Sequence, residues 1–102
     1  MNKVLYECYY VVGWNRFHSC DKMTVDKETE KMYYGVVLNA RFAVTKGDLN
    51  CVRKIVDRKY GTVYRIQVDD VENEYEAKRK AREIIYDYIM EFAERFKNYK
   101  ED

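Results

Sequence analysis

Thr62-Val63-Tyr64-Arg65-Ile66-Gln67-Val68, followed closely by Asn73-Glu74-Tyr75-Glu76-Ala77, is where the chain changes its periodicity. Over the first stretch Tyr64, Ile66 and Val68 alternate with Val63, Arg65 and Gln67. One face is apolar and the other mixed, the pattern of a half-buried strand. From Ala77 onward the apolar residues Ala77, Ala81, Ile84, Ile85, Tyr88, Ile89, Phe92 and Phe96 recur at intervals of three and four. That stripe predicts an amphipathic helix over 73–97, able to bury its length against a sheet. Asn73 suits its N-cap, with Glu76 in the capping-box position. Acidic residues crowd its start, and Arg95 and Lys97 its end, as the helix dipole favours.

Upstream, residues 51–57 and 62–68 flank Arg58-Lys59-Tyr60-Gly61 and read as a hairpin. Residues 3–12, rich in Val and Tyr, read as a strand with apolar residues on both faces, hence central or covered on both sides. Residues 22–25 and 31–34 flank a polar loop and form a further hairpin. Its second strand runs past Gly35 to Leu38, and residues 40–44 add a short strand or its continuation beyond a kink at Asn39. Residues 14–21, which hold the only Trp and the only His, read as irregular. The fold class expected is α+β. Five to six antiparallel strands form a curved meander, open or closed into a small barrel, against one long C-terminal helix. At 102 residues the chain fits a single domain, 1–102, with a β-rich part over 1–70 and the helix over 73–97.

Composition excludes several classes. Aromatic residues make up 16%, against disorder, and Pro is absent, against PPII ligands and Pro-rich linkers. No apolar run reaches the ~20 residues of a membrane span. Glu7 stands where a signal peptide needs its apolar core, so a cytoplasmic location without membrane association is expected. The abundance of Lys, Tyr, Asn, Ile, Met and Phe, all encoded by AT-rich codons, points to a low-GC bacterium or its phages and plasmids.

Catalytic signals are sparse. There is no Gly-rich phosphate loop, Walker motif or G-x-S-x-G elbow. His18 and Cys20 are close in sequence, but Cys8 and Cys51 could complete a metal site only through tertiary structure. Cys8, Cys20 and Cys51, odd in number and widely spaced, read as reduced thiols rather than a disulfide framework. No catalytic residue, metal or cofactor is expected.

Charge is more informative than its net value of +1. Arg53, Lys54, Arg58, Lys59 and Arg65 concentrate on the 53–65 hairpin, and Lys78 and Arg82 mark the start of the helix. With Tyr60 they make a candidate basic surface that could neutralise phosphates and stack bases. Asp69, Asp70, Glu72, Glu74 and Glu76 form an acidic counterpart. These read either as helix N-terminal charges or as a phosphate mimic for a partner's basic groove. Lys78 points into the apolar stripe, so either the first turns of the helix overhang the sheet or Lys78 snorkels. Eleven tyrosines, some placed on the face away from the helix, suggest a partner surface or a homodimer.

The function expected is a small non-enzymatic binding protein that occludes a protein or nucleoprotein partner. An inhibitor of host defence carried by a phage or plasmid, of the anti-CRISPR kind, belongs to that class. The alternative is direct nucleic-acid binding by the basic hairpin and helix start. A small enzyme using Cys20 or Cys51 is a third reading.

Overall fold

The computed structural model describes residues 3–99; the two ends of the expected domain, 1–2 and 100–102, lie outside them. Six strands and one helix follow in the order β1 (Val4–Val11), β2 (Arg16–Glu28), β3 (Met32–Val37), β4 (Ala40–Thr45), β5 (Arg53–Asp57), β6 (Gly61–Val68) and α1 (Glu74–Lys97). All pairings are antiparallel. The sheet order is β4-β3-β2-β1-β6-β5, curled into a half-barrel, which gives the expected α+β fold. The meander runs from β1 out to β4, and the β5–β6 hairpin returns to the other side of β1. That makes β1 central, as its two apolar faces require.

Two extra residues hide β2 from a local reading, one within the stretch expected to be irregular and one where a polar loop is expected. Tyr9 pairs with Ser19 and Tyr10 with Phe17, leaving His18 as an extra residue in β2. Val25 pairs with Gly35 and Lys27 with Tyr34, leaving Asp26 as a second one. A bulge shifts the alternation by one residue. Phe17 and Cys20 therefore face the same side at a spacing no unbroken strand allows. Arg41 clamps the bulged Asp26 with two hydrogen bonds of 2.8 Å and holds its carboxyl below the ordinary range. The β3–β4 link is a tight turn through Leu38 and Asn39, both left-handed (φ 46° and 67°).

The core lies in two layers. On the outer face Tyr6, Cys8, Cys20, Ile66 and Val68 pack against Ala77, Ala81 and Ile85 of α1. On the concave face Leu5, Met23, Val25, Tyr33, Val37 and Val44 fill the curl. Tyrosines on the face away from the helix are thus partly sheltered by the sheet's own curvature, with Tyr33 buried and Tyr9 half-buried. Cys8 and Cys20 correct the expectation of three separate thiols. They stand directly opposite in the β1–β2 ladder, Cα atoms 4.1 Å apart, and are joined as a disulfide, while Cys51 is free and exposed.

The helix starts as expected. Asn73 Oδ1 accepts the Glu76 N–H at 2.9 Å, and the Glu76 carboxylate accepts the Glu72 N–H at 3.1 Å. The burial of its stripe differs from expectation. Ala77, Ala81 and Ile85 are buried, but Ile89, Phe92 and Phe96 are exposed, Phe92 by 65%. The overhang is at the C-terminal half and not at the first turns. Twenty-four residues span about 36 Å, whereas the helix packs chiefly on β1, β2 and β6. Lys78, on the packed half, leans to Glu74 at 3.1 Å and stays half-exposed. Ile85→Ala should therefore cost about 2–5 kcal/mol and Phe92→Ala under about 0.5 kcal/mol. Urea denaturation in dilute solution would separate them, and equal losses would mean the stripe is buried along its length.

Candidate basic and aromatic site

Because β1 pairs with β6, the β1–β2 and β5–β6 turns emerge side by side at one end of the sheet. The first is a 3-10 turn, Val12–Trp14, closed by Asn15 in the left-handed region, a conformation Asn tolerates. The Tyr10 hydroxyl donates to Asn15 Oδ1 and anchors it. The second turn is organised by Asp57. Its Oδ1 accepts the N–H groups of Lys59 (2.7 Å) and Tyr60 (3.0 Å), and its Oδ2 accepts the Tyr9 hydroxyl at 3.3 Å. The two backbone bonds, Tyr60's first, hold the Asp57 carboxyl below its usual range. Burial and the Asp57 charge push the Tyr9 phenol up. The Tyr9–Asp57 bond ties β1 to the β5–β6 turn.

Three rings meet where the turns meet. Trp14 packs edge-on to Tyr60 at 5.1 Å and tilts toward His18 at 5.9 Å, and His18 lies 4.8 Å from Tyr60. His18 Nε2 and the Tyr60 hydroxyl share a hydrogen bond of 3.0 Å. The Arg16 guanidinium lies over Trp14 at 5.2 Å and the Lys59 ammonium over Tyr60 at 5.3 Å. Trp14 and His18 are exposed and Tyr60 half-exposed. The bulge in β2 gives His18 its place, since it is the residue left over between Phe17 and Ser19. Rings flanked by cations offer π-faces for flat ligands and charge for anionic ones.

The candidate residues separate around this cluster. Arg58, Lys59 and Tyr60 form its turn. Arg53 and Arg65 do share a side across the hairpin, but it is the concave side. Arg53 is bound to Asp48 at 2.8 Å, and Arg65 Nε lies 3.6 Å from Glu7. Lys54 is exposed on the outer side of β5, away from Arg53. Arg82 lines a groove with Arg16 and Phe17, so the helix reaches the cluster through Arg16. The acidic segment is largely committed. Asp69 takes bonds from Asn50 and Lys80 and lies 3.7 Å from Lys3. Burial pushes its carboxyl up, but those partners outweigh it and hold the carboxyl below the ordinary range. Glu74 pairs with Lys78 and Glu76 caps the start of α1, while Asp70 and Glu72 are exposed without a side-chain ion pair among the described residues. Trp14, Arg16 and His18 were not among the sequence candidates for a binding surface, His18 having been weighed as a metal ligand. Their signal was a lone Trp and a lone His beside Gly13, and it needed the β1–β6 pairing to acquire a direction.

Glu7 gives the concave face a pH signature. Burial, with Asp21 beside it, raises its pKa above the ordinary 4.5 despite the opposing Arg65 charge. A carboxyl that is a weaker acid folded than unfolded favours the fold when protonated. That contribution is lost as pH rises from about 4.5 through the raised value. Glu7→Gln should then raise Tm at neutral pH and leave it unchanged in acid. A lower Tm at neutral pH would mean the Arg65 pairing outweighs the burial.

Among the described residues no group of His, Cys, Asp and Glu is placed to hold a metal ion, and no helix is long and apolar enough to cross a membrane. No protein-family model, curated protein or solved structure matches this chain.

Proposed function

We propose that the protein is a non-enzymatic binding module whose ligand is single-stranded nucleic acid, held at the Trp14–His18–Tyr60 end of the sheet. The carrying observation is that the sheet brings the only Trp and the only His onto the basic turn, with Arg16 and Lys59 stacked on the rings. Unstacked bases present π-faces to such rings, and phosphates meet the flanking cations. A net charge of +1 fits a short binding site better than a long electrostatic track. Fluorescence anisotropy with labelled single-stranded DNA and RNA tests the reading. Affinity should fall as salt rises. Arg58→Glu with Lys59→Glu should weaken binding and flatten the dependence of log affinity on log salt by about one unit per phosphate contact removed. A duplex of the same sequence should bind more weakly, since its bases are not free to stack. No salt-sensitive binding at low ionic strength would end this reading.

The second reading is occlusion of a protein or nucleoprotein partner in the cytoplasm, such as a host-defence complex blocked by a phage or plasmid protein. The exposed half of α1 favours it. A partner complex that survives nuclease, persists with the Arg58/Lys59 reversal and disappears with Phe92→Glu would support it over the first.

A further inference from the structure

The hairpin that carries Trp14 and His18 is also the one that the disulfide crosses. Cys8 and Cys20 stand opposite each other in the β1–β2 ladder and enclose residues 9–19. That segment holds Trp14, Arg16 and His18, all that this hairpin contributes to the ring cluster. Residues 12–16 are all exposed. Beyond the Tyr10–Asn15 bond and the rings themselves, the turn has little buried surface to hold it. Its geometry depends on the bulge. Tyr9 pairs with Ser19 next to the cysteines, then the register shifts and leaves His18 over. The place of a bulge decides which side chain is re-aimed, and a slip of one residue turns a strand's side chains to the other face. A covalent tie between Cys8 and Cys20 admits one register.

We infer that the Cys8–Cys20 pair is a redox switch for the ring cluster. Oxidised, it fixes the β1–β2 register and holds Trp14 and His18 against Tyr60. Reduced, it frees the hairpin, and the cluster loosens. As a control on ligand binding this rests on the nucleic-acid reading; as a change in the cluster it does not. The step is thiol–disulfide exchange with a dithiol reductant. One thiolate of the reductant attacks Sγ of Cys20, the less buried of the two residues, and the Cys8 thiolate leaves and takes up a proton. The second thiolate of the reductant then attacks the mixed disulfide and releases Cys20. The protein gains two electrons and two protons, and the reductant departs as a disulfide. The pair lies in one cluster with Ala77, Ala81 and Ile85, so α1 must part from the sheet before the reductant reaches it. Exchange is therefore slow in the folded protein and fast in one whose helix has not yet docked.

Trp14 is the only Trp and lies in the cluster, so its fluorescence reports the switch without any ligand. The full chain is compared after oxidation with glutathione disulfide and after reduction with dithiothreitol, with thiols counted by maleimide in denaturant. The oxidised protein should give one thiol, Cys51, and the reduced protein all three. Reduction should shift Trp14 emission to the red, keep the circular dichroism, and weaken single-stranded DNA binding by more than about threefold, as a competent fraction below a third requires. Cys51→Ser should respond like wild type. Cys8→Ser with Cys20→Ser should match the reduced protein with or without dithiothreitol; if that variant does not fold, reduced wild type carries the comparison. Three thiols after oxidation, or unchanged emission once three are counted, overturns the inference. Loss of the circular dichroism on reduction overturns it as well, because the bond is then a staple of the whole fold. A shift in emission with no DNA binding in either state upholds the switch and ends the nucleic-acid reading instead.

Discussion

Gly35→Ala should unfold the protein or cost more than about 3 kcal/mol, beyond ordinary overpacking and a large share of a small domain's stability. Gly35 sits in β3 opposite Val25. A Cβ there would fall on the Thr24 carbonyl oxygen, with the Thr24 carbonyl carbon 2.9 Å and Val25 Cα 3.0 Å away. All three are backbone atoms of β2, so no side-chain rotation relieves the clash. The strands would have to separate beside the Asp26 bulge, where Val25, Tyr33 and Val37 close the concave core. Gly13→Ala is the control, because nothing lies within 4 Å of its added Cβ and its φ is not positive. It should be neutral or stabilising by about 0.4–1 kcal/mol. Thermal denaturation of the two variants decides the matter. Equal Tm values would mean that β2 and β3 approach less closely than described.

Replacing both Trp14 and Tyr60 by Ala should reduce single-stranded nucleic-acid affinity by on the order of thirtyfold or more, taking ~1–3 kcal/mol for each lost stack. The loss should be the same at every salt concentration, because neither residue neutralises a phosphate. The contrast with the Arg58/Lys59 reversal is therefore one of intercept against slope. Tyr60→Phe keeps the ring and removes only the hydroxyl that bonds His18, so it should retain most of the affinity. Both positions are at least half-exposed, and circular dichroism should be unchanged. If the double variant binds as well as wild type, the rings are not the platform, whatever the cations do.

How much of this was legible in the sequence follows from the range of each interaction. β6, the β5–β6 turn and the Asn73 cap are set by neighbours in sequence, and local periodicity finds them. The shared side of Arg53 and Arg65 also follows from a hairpin register. Their ion partners do not, because Glu7 reaches Arg65 only across the β1–β6 pairing. β2 was hidden by its own bulges, which break the alternation that identifies a strand. The stripe of α1 was correctly amphipathic, but periodicity says nothing about how far the sheet extends beneath it. The site shows the same division. Lys59 and Tyr60 stood out on a basic turn, while Trp14 and His18 looked like loop residues until a distant strand placed them against that turn.

The sheet order has a kinetic side. Every pairing except β1–β6 joins strands adjacent in sequence, so the meander β1 to β4 and the hairpin β5–β6 can each form through short loops. Only the β1–β6 seam must close a loop that includes most of the domain, and loop closure of that kind slows folding. Trp14 and His18 lie on one side of this seam and Tyr60 on the other, with Tyr9 and Asp57 bonded across it. The ring cluster therefore does not exist in either half alone. A nascent chain would assemble the ring cluster only once these two halves dock, and a partly folded one would expose the open edges of β1 and β6.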